Sequence, residues 1–87
     1  MDTLLLQTPF QLSQHLKALR KARGLTQAQL AARLRIKQAR YAVIENHPET
    51  VAAAQLFDVF AALGVDVLLR VRSAKQPPSS APRGDDW

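Results

Sequence analysis

The stretch from Gln27 to Ile44 leaves few folds open. It carries two apolar stripes at helical spacing, both short, with only Arg35-Ile36 between them. Thr26-Gln27-Ala28-Gln29 reads as a capping box, in which the Thr26 side chain accepts from the third helical amide and Gln29 reaches back. That predicts a helix over about 27–34, with Leu30, Ala31 and Leu34 on its buried face. A following helix over about 37–45 turns Tyr41 and Ile44 inward, and Asn46-His47-Pro48 breaks it. Helices this short are marginal alone and must pack. So brief a turn leaves them a near-perpendicular crossing, and the small Ala31 lets them approach closely.

Two more helices complete the unit. Thr8 is an N-cap and Pro9 a first helical residue, and Leu12, Leu16 and Leu19 recur at helical spacing up to Gly24. The first helix is therefore expected over about 9–23. Thr50 is expected to cap a fourth over about 51–63, with Leu56, Val59, Phe60 and Leu63 inward and Gly64 at its end. The period then changes. Val65, Val67, Leu69 and Val71 alternate with Asp66, Leu68, Arg70 and Arg72, which predicts a β-strand. Beyond it, Gln76-Pro77-Pro78-Ser79-Ser80-Ala81-Pro82 cannot pack a core. The organisation expected is an arm at 1–8, a folded unit at 9–72 and a disordered tail at 73–87. The fold class expected is an all-α helix-turn-helix domain of four to five helices with one C-terminal strand.

The strand has no partner in its own chain, and unpaired backbone amides and carbonyls need one. Pairing with the same strand of a second copy would bury Val65, Val67, Leu69 and Val71 and make a two-fold homodimer. Symmetry would then set two equivalent helices about 34–36 Å apart, the spacing of successive major grooves on an inverted repeat.

Charge narrows the function. The 87 residues carry a net charge of +5, and eight basic side chains between Lys17 and Arg40 meet no acidic one. A one-signed block on packed helices favours a polyanion partner. A membrane surface is the competing polyanion, but no basic amphipathic helix with bulky aromatics supports it. No apolar run approaches the roughly 20 residues of a bilayer span. Leu4-Leu5-Leu6 lacks the positive flank and cleavage site of a secretory signal, so a cytoplasmic protein is expected.

Catalysis fares badly. There are no cysteines, His15 and His47 are far apart, and the carboxylates are scattered. Ser13 and His15 lack a third member, and no glycine-rich phosphate loop is present. No enzyme, metal or cofactor is expected.

The outward, amino-terminal face of the third helix is the candidate reading surface. Lys37, Gln38, Ala39, Arg40, Ala42 and Val43 fall there. A recognition helix sets its first residues against base edges in the major groove. Glutamine pairs bidentately with adenine, lysine reaches guanine, and alanine suits the thymine methyl.

Leu25-Thr26-Gln27-Ala28-Gln29-Leu30-Ala31, followed by Ile44-Glu45-Asn46, resembles the phage-repressor and Xre-type helix-turn-helix domains with their lambda-repressor-like arrangement. Ile36-Lys37-Gln38-Ala39, Glu45-Asn46-His47-Pro48, the strand after the fourth helix and the acidic-Trp tail resemble the HipB type of antitoxin. The resemblance implies a dimer that represses its own operon and holds a HipA-like serine/threonine kinase toxin. It implies base contacts from Lys37, Gln38, Ala39 and Ala42, a phosphate contact from Gln27, and an ion pair between Arg20 and Glu45. It also makes Asp85, Asp86 and Trp87 the expected toxin-binding residues, with Trp87 as a flexible arm's aromatic anchor. Two positions depart from the family: Arg35 stands where glycine is usual, and Tyr41 replaces a smaller aliphatic residue. A stand-alone Xre-type regulator without a toxin shares the DNA chemistry and is the alternative.

Overall fold

Among the described residues, 3–72, the computed structural model has four α-helices and one 3-10 turn. They run α1 at Pro9–Ala22, α2 at Gln27–Leu34, α3 at Gln38–Asn46, the 3-10 turn at Pro48–Thr50 and α4 at Ala53–Ala62. Asp85, Asp86 and Trp87 lie outside the described residues, as does the rest of the expected tail.

Helix starts follow the local sequence. Thr8 Oγ1 accepts from the Gln11 amide at 3.1 Å while Gln11 Oε1 accepts from the Thr8 amide at 3.2 Å. The reciprocal pair recurs at α2, where Thr26 and Gln29 bond at 3.0 and 2.9 Å. Each box satisfies two amides that the helix itself leaves orphaned.

Helix ends share one device. At Gly24-Leu25, Arg35-Ile36 and Gly64-Val65 the first residue bonds back three positions and the second five, at 2.9–3.1 Å. The first residue of each pair is left-handed, with φ of 71°, 61° and 72°. This is the Schellman arrangement, whose second residue is typically apolar and packs on the helix just ended. Leu25, Ile36 and Val65 all pack against the core. Arg35 takes the left-handed turn between α2 and α3 without a glycine's freedom, which costs about 1–2 kcal/mol. Gly64 has a second reason to be glycine: a Cβ there would lie 2.6 Å from Arg23 Nη2. Arg23 Nε donates to Leu63 O at 2.9 Å, satisfying the end of α4 and tying it to the end of α1.

The start of α4 differs from the sequence expectation. Thr50 does not cap it. Pro48 opens a 3-10 turn instead, and Thr50 sends its hydroxyl to His47 O at 2.8 Å. The helix begins two residues later than expected, at Ala53, with Ala52 as an N-cap that makes no side-chain bond.

The core collects one stripe from each helix: Leu16 of α1, Leu30 and Ala31 of α2, Tyr41 and Ile44 of α3, and Val59 and Phe60 of α4 with Leu63 just beyond. Each fully buried aliphatic side chain contributes about 1.5–3 kcal/mol. Helix α2 packs on both α3 and α4, while α1 packs on α3 and the 3-10 turn, so α3 is fixed from behind and open in front.

Residues 65–72 form no strand with any other described segment. A strand exists only as a hydrogen-bonded pair, and beyond Val65 this region is exposed: Leu68, Leu69 and Val71 are 81, 94 and 93 % exposed. At the other end, His15 Nε2 lies 2.7 Å from Leu5 O and holds the amino-terminal arm to α1. Because a carbonyl only accepts, this bond places the imidazole proton on Nε2.

Candidate nucleic-acid interface

Helix α3 is two-sided. Tyr41, Ile44 and Glu45 are buried, at the i, i+3, i+4 spacing of one face. Lys37, Gln38, Ala39, Arg40 and Val43 are exposed and Ala42 is half-buried. The residues expected to read bases thus lie at the N-cap of α3 and along its outward side. Lys37 is the N-cap, with extended backbone and no side-chain capping bond. The first amides of α3 therefore point forward with the positive end of the helix dipole.

Not all of these side chains are free. Arg40 Nη2 donates to Gln55 Oε1 at 2.7 Å, which turns it back over the start of α4. Gln27 sends Nε2 to Glu45 Oε1 at 3.0 Å. A glutamine amide has two N–H groups, so the second remains to donate elsewhere.

Behind the face sits a polar cluster centred on Glu45, whose side chain is 1 % exposed. Arg20 grips it with both prongs, Nε to Oε2 at 2.8 Å and Nη2 to Oε1 at 3.0 Å. The third guanidinium nitrogen, Nη1, donates to Leu25 O at 2.9 Å. Tyr41 adds its hydroxyl to Glu45 Oε2 at 2.8 Å. A carboxylate buried this deeply survives only when its lone pairs are filled. Burial alone would push the Glu45 carboxyl up, but the bonds from Arg20, Gln27 and Tyr41 outweigh it and hold it below its ordinary value. Burial, reinforced by the bond to Glu45, drives the Tyr41 phenol well above its own. The bond to Glu45 also raises Arg20.

The bidentate pair expected from the family resemblance is therefore present, and it clamps α1 to the back of α3. Electrostatically it removes the carboxylate from the outward field, so that the forward side of α3 shows only cationic and neutral groups. Two of the bonds to Glu45, those from Tyr41 and Gln27, were not foreseen. Tyr41 was read as an apolar inward residue, although its i, i+4 spacing to Glu45 is the signal that could have found the bond. The pairing of Arg23 with Leu63 O spans forty residues and leaves no local trace.

Other candidate chemistry disperses. Ser13 is buried and His15 is occupied by the arm. Among the described residues no three His, Asp or Glu side chains converge as a metal site. No helix of this region is long and apolar enough to cross a membrane.

A helix-turn-helix family model matches residues 16–69. The chain is 29 % identical over 80 residues to Antitoxin HipB of Escherichia coli strain K12, covering 92 % of this chain and 91 % of that protein. It is 28 % identical over 80 residues to Antitoxin HipB of Escherichia coli O6:H1, covering 92 % and 85 %. Among solved structures it is similar to a HipB-O4 20mer complex, at TM-score 0.73 and 28 % identity over 82 % of this chain and 100 % of that one. A HipA-HipB-O2-O3 complex gives the same TM-score, identity and coverage. Both of these relatives are named as antitoxins. With more than half its length matched, the chain belongs to the helix-turn-helix family in its Xre-type form.

Proposed function

We propose that this protein is an operator-binding transcriptional repressor that reads DNA with the outward face of α3, as a two-fold homodimer joined through residues 65–72. The observation that carries the reading is the asymmetry of α3: Glu45 is sealed behind by Arg20, Gln27 and Tyr41, while Lys37, Gln38 and Ala39 stand exposed in front. A sequence-reading helix needs a rigid back, a cationic front and short side chains that admit the groove. Lys37, Gln38, Ala39, Ala42 and Val43 are the proposed base-facing residues, with Gln27 and Arg40 directed to phosphates. Gln27 is pre-oriented for this by Glu45, which holds one of its N–H groups.

We further infer that the protein is the antitoxin of a HipA-like serine/threonine kinase and represses the operon encoding both. The likeness to two proteins named Antitoxin HipB and to a solved HipA-HipB complex supports it. Asp85, Asp86 and Trp87 are the proposed kinase-binding residues. The folded unit is assigned to 9–72, the arm to 1–8 and the tail to 73–87, in a cytoplasmic protein.

The experiment is a titration of duplex DNA at several salt concentrations. Neutralised phosphates release counterions, so log affinity should fall linearly with log salt at a slope of about −0.9 per phosphate contact. Affinity that ignores salt would contradict the reading. Deleting residues 84–87 should weaken binding to the HipA-like kinase and leave DNA affinity unchanged, and unchanged kinase binding would remove the tail from the account.

A further inference from the structure

The carboxylate of Glu45 has no acceptor site left over. An ionised carboxylate offers about four lone-pair sites, two on each oxygen. Oε2 accepts from Arg20 Nε at 2.8 Å and from the Tyr41 hydroxyl at 2.8 Å. Oε1 accepts from Arg20 Nη2 at 3.0 Å and from Gln27 Nε2 at 3.0 Å. Each site thus has its donor.

The donors differ in what else they can do. Tyr41 is fully buried, and its hydroxyl has a single proton to give. Arg20 is committed through all three guanidinium nitrogens, since Nη1 donates to Leu25 O. Gln27 is half-buried at the first position of α2, and among the described residues its amide makes no second bond. Its remaining N–H links the cluster to the surface.

We propose that the Tyr41 hydroxyl is a positioning group for DNA binding: it fills the last acceptor site of Glu45 and so leaves the second N–H of Gln27 free for a backbone phosphate. This rests on the DNA reading above and adds to it a buried residue that touches no DNA. With the hydroxyl gone, Oε2 keeps an unfilled site on a side chain that is 1 % exposed. Leaving a buried acceptor unfilled is expensive, and Gln27 carries the uncommitted N–H of the cluster. A small turn of the carboxylate about its soft terminal torsion draws that N–H inward. The amide then serves Glu45 with both protons, and the phosphate contact is lost.

The test is a double-mutant cycle in the full-length protein, with Tyr41→Phe, Gln27→Ala and the pair. Affinity is measured for a mixed-sequence duplex and for the duplex that the wild type selects from a random pool. Tyr41→Phe keeps the ring and removes only the hydroxyl. It should weaken binding to both duplexes by the same factor, about three- to tenfold. Phosphate contacts carry no sequence information, so the ratio of the two affinities should hold. A neutral amide releases no counterion, so the salt slope should hold as well. Gln27→Ala should weaken binding as much, and adding Tyr41→Phe to it should change nothing further. Without DNA, one Gln27 side-chain amide proton should be protected from exchange in the wild type and both in Tyr41→Phe, as read by NMR. Additive losses, a flattened salt slope or a lowered affinity ratio would show that Tyr41 acts by holding α3 in place. Any of these, or Gln27 protons that Tyr41→Phe leaves unaltered, overturns the proposal while the DNA reading stands. A wild type that binds neither duplex overturns both.

Discussion

Tyr41 donates its hydroxyl to Glu45 Oε2 at 2.8 Å, one helical turn along α3, on the same oxygen that Arg20 Nε holds from α1. The residue that departs from the family's usual aliphatic thus supplies a further donor to a buried carboxylate. The back of α3 is consequently fixed by polar bonds of defined geometry as well as by packing.

That arrangement makes Glu45→Gln costly. An amide has one acceptor oxygen where the carboxylate has two, and Arg20 would be left charged and poorly paired at 11 % exposure. The expected loss is about 3 kcal/mol, against a change within about 0.5 kcal/mol for exposed Glu49→Gln. Tyr41→Phe should lie between, at about 1–2 kcal/mol, since it removes one donor from a filled site. Urea unfolding of the three variants checks the order. Equal costs for Glu45→Gln and Glu49→Gln would show that the cluster does not hold the fold.

Stability should fall at both ends of the pH range. Glu45 is held below its ordinary value of 4.5, so the stability it lends is complete above that value and is lost as pH drops through the folded one. Tyr41 is raised above its ordinary value of 10.0, so its contribution is complete below 10.0 and disappears as pH climbs through the folded one. Tyr41 is the chain's one tyrosine, so phenolate absorbance reads it alone. The folded protein should ionise at higher pH than the urea-unfolded chain. Coincident titrations would place the phenol in solvent.

Much of this was legible because it is local. Thr8 with Gln11 and Thr26 with Gln29 announce their helices three residues apart, and Gly24 and Gly64 mark ends that only a left-handed residue can make. Leu30, Tyr41 and Ile44 fell inward as their spacing required. Thr50 misled because Pro48, two residues earlier, starts a turn of its own and takes the Thr50 hydroxyl with it. The Arg20–Glu45 pair was legible only through family likeness, since twenty-five residues separate its members. Gln27 illustrates a different limit: its position suggested phosphate, and no pattern could reveal that Glu45 already holds half of its amide. The strand expected at 65–72 pairs with no other described segment, and the pairing proposed for it lies between two chains, beyond what one chain can display.

Arg35 offers an independent test of the turn. With φ at 61° it bears a left-handed strain that glycine would not. Arg35→Gly should be neutral or stabilise by up to about 1 kcal/mol, the relieved strain exceeding the added freedom of the unfolded chain. Gly24→Ala, at φ 71° with open space around its Cβ, should destabilise by a similar amount. Thermal melts of the two variants check the opposite signs. Losing one cation from the basic block should also make Arg35→Gly bind DNA more weakly if that guanidinium meets phosphate.

Selection of duplexes from a random pool by the full-length protein tests most directly whether the front of α3 reads bases. The wild type is expected to enrich an inverted repeat whose half-sites lie about 10–10.5 base pairs apart. Gln38→Ala should enrich the same repeat with one position in each half-site relaxed, at a discrimination loss of about 1–3 kcal/mol. A pool that emerges from the wild type with no preferred sequence, or one that Gln38→Ala leaves unaltered at every position, would contradict it.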